Sequence, residues 1–174
     1  MQHTQNIIEY LNHDIGAAKC WVQSTPNAPI NFPESKWKNI LKRRAINLDK
    51  VYDALFINRA PQEEVASLRG HKIVFKQSSE VKKGVETSGE WESTWRVMVK
   101  ATTFVFSHHQ SELEKYGAFI GIKFQRREVG GHQHVFTFVK GVHVAIRGGS
   151  MSSLLNHKIH KEYAELSLAP DGIE

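Results

Sequence analysis

The sequence predicts a mainly α-helical fold: a compact bundle of about six helices with an N-terminal helical arm. Three features predict it. Trp91, Trp95, Met98, Val99, Thr102 and Phe106 fall at i, i+4, i+7, i+8, i+11 and i+15, and Leu113, Tyr116, Ile120 and Phe124 follow at i, i+3, i+7 and i+11. Both spacings hold bulky apolar groups on one face of a helix. Each of these stretches is preceded by a capping-box pattern, Thr87-Ser-Gly-Glu90 and Ser107-His-His-Gln110. In such a box, hydroxyl and carboxylate or amide satisfy orphan N–H groups reciprocally. The third feature is the cluster of Pro26, Pro29 and Pro33, which admits neither a regular helix nor a central strand across 22–33. Residues 1–31 therefore read as a helix plus proline-rich arm, and 32–174 as one helical domain.

In chain order, Thr4 suits an N-cap for a first helix carrying Ile7, Ile8, Leu11 and Ile15, with Gly16 able to end it. Pro33 suits the first turn of a second helix whose dry side is Trp37, Ile40 and Leu41. Asn47 can cap a third bearing Leu48, Val51, Tyr52, Leu55 and Phe56, which Pro61 stops. Lys72-Ile-Val-Phe-Lys76 fits either a short strand or an anchored loop segment, and Gln77–Lys83 is polar enough to be mobile. After Gly130-Gly131, the stretch His134–Arg147 satisfies helical and strand periodicities alike: Val135, Phe138, Val139, Val142 and Ile146 suit a helix, while Phe136, Phe138, Val142, Val144 and Ile146 suit a strand with Lys140 out of place, and the residue types favour β. Ser150 or Ser152 can cap a last helix with Leu155, Ile159, Tyr163 and Leu166, and Pro170-Asp-Gly172 closes the domain. Trp37, Trp91, Trp95, Phe106, Leu113, Tyr116, Ile120 and Tyr163 are the expected core.

At 174 residues the chain can bury a full core without staples. Its single cysteine, Cys20, excludes an internal disulfide and a Cys-rich zinc module, and reads as a small buried group beside Trp21. The N-terminus has no secretory pattern and no apolar run is long enough to span a bilayer. An intracellular location, in cytoplasm or nucleus, is expected. The net charge of +5 is uneven, with segments 34–50, 69–83 and 123–147 each at +4. Clusters of this kind neutralise phosphates, although a solvated helix face is the plainer reading. Aromatic and basic residues interleave at Trp37, Lys38, Lys42 and Arg43 and again at Lys123, Phe124, Arg126 and Arg127, a pattern that serves single-stranded nucleic acid when rings are free to stack.

Catalytic motifs do not emerge. Ten histidines invite a metal, and His157 and His160 with His132 and His134 are the best-spaced donors, but His157-Lys-Ile-His160 lacks the glutamate a zinc protease needs. His108 and His109 fall in an expected first helical turn, where the dipole favours the neutral ring. His143, Arg147 and Tyr163 fail the recombinase pattern, the His-to-Arg spacing being one residue too long. Glu112 and Glu114 read as solvent groups on different helix faces. No phosphate loop or nucleophile elbow is present, and no cofactor, catalytic residue or small-molecule substrate is implied.

From about Phe32 onward the chain resembles uncharacterised proteins abundant in the genomes of mushroom-type fungi, several of which look like Gag-like open reading frames of transposable elements. The patches that carry the resemblance are Phe32-Pro-Glu-Ser-Lys-Trp37, Asn47-Leu-Asp-Lys-Val51, Thr87-Ser-Gly-Glu-Trp-Glu-Ser-Thr-Trp95, Ala101-Thr-Thr-Phe104, Phe106-Ser-His-His109, Glu112-Leu-Glu-Lys-Tyr-Gly117 and Pro170-Asp-Gly-Ile173. In that family a Cys/His zinc knuckle often follows the helical region, and none occurs within these residues. The family often has Pro where Ser107 stands. It tends to show an Asp and an Arg in the segment matching Phe136–Arg147, where this chain has Val139-Lys140 and keeps Arg147. The resemblance implies a helix for 134–147 and a structural or nucleoprotein role.

The expectation is thus a non-enzymatic, self-associating domain of a mobile-element protein that binds RNA or DNA. Lys36, Lys38, Lys42, Arg43, Arg44, Lys123, Arg126 and Arg127 would meet phosphates. The alternative is an oligomerisation or protein-interaction module with an incidental basic surface. A metal-dependent hydrolase using the histidines is the third.

Overall fold

The computed structural model describes residues 14–29, 32–42, 44, 46–57, 63–68, 71–76, 83–145, 154 and 157–168. The fold is mainly helical. Helices α1 (Ile15–Ser24), α2 (Glu34–Leu41) and α3 (Leu48–Tyr52) come first, α3 widening into a π-helical turn at Asp53–Ile57. A hairpin of β1 (Glu63–Leu68) and β2 (His71–Lys76) follows, antiparallel, with Glu63 opposite Lys76 and Leu68 opposite His71. Then come α4 (Ser88–Val105), α5 (Gln110–Gln125), α6 (His132–Ala145) and α7 (His157–Ser167), with 3₁₀ turns at Ser107–His109 and Val129–Gly131. The run at 72–76 is therefore a strand.

Helix α4 is the spine. Thr87 is extended and its hydroxyl accepts from Glu90 N at 3.2 Å, while Glu90 Oε2 accepts from Thr87 N at 3.0 Å and Glu86 N at 2.9 Å. The other carboxylate oxygen accepts from the Tyr52 hydroxyl at 2.6 Å and from Lys83 Nζ at 3.2 Å. The Tyr52 hydroxyl is the chief reason the Glu90 carboxyl is held down to about 2, with the two backbone amides and Lys83 adding to it. Beyond the cap, Trp91 stacks on Trp95 with centroids 5.4 Å apart, Trp95 packs on Tyr116 of α5 at 5.2 Å, and Trp91 packs on Phe124 at 5.8 Å. Helices α4 and α5 thus run antiparallel. Gly117 makes this possible, because a Cβ there would lie 2.6 Å from Trp95 Nε1.

Helix α6 settles the ambiguous segment. Val135, Phe138, Val139 and Val142 share one helical face and are buried, whereas Val144, which a strand would turn inward with Phe136, Phe138 and Val142, is 57% exposed. Helix α7 lies on α6 so closely that a Cβ on Gly141 would collide with the Tyr163 ring. At the far end of the spine Trp37 of α2 meets Phe32 at 4.9 Å and Phe104 at 6.4 Å. Trp37, Trp91, Trp95, Phe106, Leu113, Tyr116 and Ile120 are all buried, and Tyr163 packs against them half-buried.

The structure corrects several expectations. Gly16 does not end a helix. It sits in the first turn of α1, its N–H donating to Asp14 Oδ1 at 2.7 Å, and Ala18 and Val22 enter the common core. An Asp at the N-cap outcompetes a glycine stop signal because it satisfies an orphan donor. Cys20 is exposed, since Ala18 and Val22 take the inward face and Cys20 lies half a turn away. Phe56 is 48% exposed because the π-helical turn changes the register after Tyr52. Leu166 is 76% exposed, the inward stripe of α7 being Ile159, His160, Tyr163 and Ala164, with Leu168 just past its end. Ser107 forms no capping box: residues 107–109 already have helical backbone, and Gln110 Nε2 instead donates to Glu114 Oε1 at 2.9 Å. Glu112 is no solvent group, with a side chain only 16% exposed and an oxygen 3.1 Å from His109 Nδ1. Expectations at Thr4, Ile7, Ile8, Leu11, Arg43, Pro61, residues 77–82, Arg147, Ser150, Ser152, Leu155 and Pro170–Gly172 lie outside the described residues.

Candidate nucleic-acid interface

The two basic segments singled out in the sequence occupy opposite ends of α4. The Lys123–Arg127 end of α5 is tied to Trp91 through Phe124, and α2 is tied to Phe104 through Trp37. Trp91 and Phe104 are 13 residues apart on one helix, so the separation along the axis is about 20 Å at the helical rise. They do not form one patch.

Near α2, Lys38, Lys42 and Arg44 are exposed, while Lys36 is half-buried. Burial, and then the neighbouring Lys50, lowers the Lys36 ammonium below the usual lysine range. Glu34 on the same helix takes Lys19 Nζ at 2.7 Å, so an ion pair marks the start of this face.

The α5 end has a different character. Helix α7 crosses it, forming a groove of about 610 Å³ lined by Phe119, Ile122, Lys123, Arg126, Arg127, Lys161, Ala164, Glu165 and Leu168. Lys123 lays its ammonium 4.6 Å from the Phe119 ring centre and 5.5 Å from that of Phe138. Its pKa is lowered first by burial, then by Arg127 and Arg126. Arg127 Nη2 donates to the Leu168 carbonyl at 2.7 Å, which fastens the end of α7 to the end of α5. Among the described residues no carboxylate pairs with Lys123, Arg126 or Arg127; the groove's Glu165 lies 3.9 Å from Lys161. Four cations thus converge on one groove with one carboxylate. Lys161 was missed by the sequence reading. It is on the wet side of α7, and nothing in its own segment says which distant residues α7 will cover.

The aromatic partners of the interleaved pattern are not available. Trp37 is 2% exposed and Phe124 is 4% exposed. Both are core, and the cations around them are rim.

The histidines are dispersed among packing roles. His132 Nε2 lies 3.2 Å from the Phe124 carbonyl, His160 is stacked on Phe119 at 5.1 Å, and His143 sits 6.1 Å from Trp95 and 5.8 Å from Tyr116. Burial pushes the His143 ring down to about 4, keeping it neutral. Among the described residues no group of three or more His, Cys, Asp or Glu is placed to hold a metal. In the same core, the Tyr116 hydroxyl, the Trp95 indole N–H and His143 Nε2 have no hydrogen-bond partner among the described residues, and burial raises the Tyr116 pKa. Among the described residues no helix is long and apolar enough to cross a membrane.

Comparison with protein-family models, with curated proteins and with solved structures finds no match. What the molecule does is therefore read from its own surface.

Proposed function

We propose that this chain is a helical domain that binds and organises nucleic acid, gripping phosphates through the groove between α5 and α7. The observation that carries the reading is the convergence of Lys123, Arg126, Arg127 and Lys161 with no carboxylate on the first three among the described residues. Like charges held together repel, and the Lys123 ammonium, lowered first by burial, is lowered further by its two arginine neighbours. A polyanion relieves that repulsion and releases its own condensed counterions. The resemblance to Gag-like proteins of fungal mobile elements supports the same reading. The second cationic face, Lys38, Lys42 and Arg44 on and after α2, lies far enough away to hold a separate segment of the same polymer. One domain with two grips can draw strands together, which is organisation as opposed to simple binding. Self-association would multiply those grips.

A protein-interaction role has one observation in its favour. A wider groove of about 1110 Å³ runs between α4 and α5, floored by Gly117 and Gly121 and edged by the exposed Ile122 and Val129. A partner helix is the kind of occupant such a groove takes.

The test is salt-dependent binding of a labelled oligonucleotide, read by fluorescence anisotropy, for the wild type and for Lys123→Gln/Arg126→Gln/Lys161→Gln. Each lost phosphate contact lowers the log–log salt slope by about 0.7 on a single strand, so the triple variant is expected to be shallower by about 2. Equal slopes would sink the assignment of the groove. Light scattering across protein concentration tests self-association, which a strict monomer excludes.

A further inference from the structure

Resting on the reading of the α5–α7 groove as a phosphate grip, we infer that this groove holds a strand by its phosphate backbone and gives its bases no ring to stack on. The groove's chemistry points that way. Among the described residues its hydrogen-bonding side chains are Lys123, Arg126, Arg127, Lys161 and Glu165, with no Asn, Gln, Ser, Thr or Tyr. Amide and hydroxyl groups pair with several base edges; the ammonium and guanidinium groups present here meet phosphate and, beyond it, chiefly guanine O6 and N7, which oligothymidylate lacks. Of the arginines, Arg127 already spends a guanidinium N–H on the Leu168 carbonyl, which restrains it from turning to a base.

Stacking is closed off as well. Single-strand binders that use bases present free aromatic faces. Phe119 is the one aromatic lining the groove among the described residues, and its ring is engaged by His160, stacked at an interplanar angle of 11°, and by the Lys123 ammonium 4.6 Å from its centre. Phe124, Phe136 and Phe138 nearby are at most 5% exposed. The exposed apolar side chain at the groove is Ile122, which has no π face. A base splayed into this site meets an aliphatic ridge and cations, with no ring to lie on. The ligand class is thus any flexible chain of phosphates at matched charge: RNA, DNA, an abasic strand or inorganic polyphosphate.

The experiment is competition against labelled oligothymidylate at fixed low salt, using the intact chain. The competitors are unlabelled oligothymidylate, an abasic strand of equal length and inorganic polyphosphate of equal charge. The expected result is that all three compete within about 3-fold of one another, and that Lys123→Gln/Lys161→Gln weakens all three by the same factor. One stacked base is worth about 5-fold or more. An abasic strand weaker than oligothymidylate by about 10-fold or more would overturn the backbone-only inference while leaving nucleic-acid binding intact. If oligothymidylate itself fails to bind the wild type at low salt, the functional reading beneath it falls too. Circular dichroism of the double variant, unchanged from wild type, separates loss of contact from loss of fold.

Discussion

The two basic regions carry similar letters and behave differently. Around α2, cations alternate with Trp37, and the structure pulls Lys36 half out of water and begins the face with the Lys19–Glu34 pair. At the end of α5, cations alternate with Phe124, and the structure adds Lys161 from a helix 34 residues further along while setting no described carboxylate against Lys123, Arg126 or Arg127. Charge counted along a chain is the same in both. What separates them is the element folded across each, and that is a tertiary fact.

The contrast is easiest to break with single charge reversals. Arg126→Glu is expected to weaken oligonucleotide binding by about 100-fold at low salt, and Lys42→Glu by no more than about 3-fold, since the first inverts the centre of a convergent cluster and the second a rim charge. Comparable losses in anisotropy titrations would erase the distinction. Acid attacks the scaffold that brings α7 to α5. His143 is held near 4 against 6.5 in an unfolded chain. Above 6.5 both states are neutral and nothing changes. As pH falls from 6.5 to 4 the unfolded chain takes up a proton that the fold refuses, so stability drops by at most about 3 kcal/mol. Urea melts at several pH values should show that loss, and His143→Leu should flatten it. Glu90 runs lower: its depressed carboxyl supports the fold above about 4.5 and gives that up as pH falls through 2.

Gly141→Ala sharpens the comparison differently. The new methyl must push Tyr163 off α6, at about 1–3 kcal/mol for overpacking, partly offset by alanine's better helix propensity. A lower melting temperature with weaker oligonucleotide binding is expected, because Lys161 leaves with α7; binding unchanged would mean that Lys161 contributes nothing. The smallest effect is at the cap. Thr87→Ala should cost about 1 kcal/mol in chemical denaturation and leave both basic regions' salt slopes alone.

Helices were legible where a local rule had no competitor. Thr87-Ser-Gly-Glu90 became a capping box because the residue before α4 is free to be extended. Ser107-His-His-Gln110 has the same form but follows α4 after one residue, Phe106, so the chain turns through a 3₁₀ helix and the box has no extended N-cap to use. The same limit explains α6, where β-branched letters argued for a strand and burial of one helical face decided otherwise. Cys20 was read as buried from its residue type alone; only the helix over Ile15–Ser24, which turns Ala18 and Val22 inward, places it outside. In the groove, Lys123, Arg126 and Arg127 were visible as a run, but their loss of aromatic partners to the core and their gain of Lys161 were not. Both depend on which faces α4 and α7 present, and a one-dimensional pattern does not carry that.

The Glu90 carboxylate has a use beyond its cap. Tyr52 and Lys83, which meet on one of its oxygens, are the described residues near the two ends of the excursion that contains the β1–β2 hairpin. Asp49 makes a second stitch across the same gap, accepting from Val85 N at 3.0 Å while also holding Lys140 at 3.2 Å. The helical body therefore carries ties of its own between the two ends of that excursion. A fluorophore or affinity tag spliced between Leu68 and His71 is expected to leave those ties intact, which makes the hairpin tip a site at which to label the molecule, and a urea melt matching that of the untagged chain would check it.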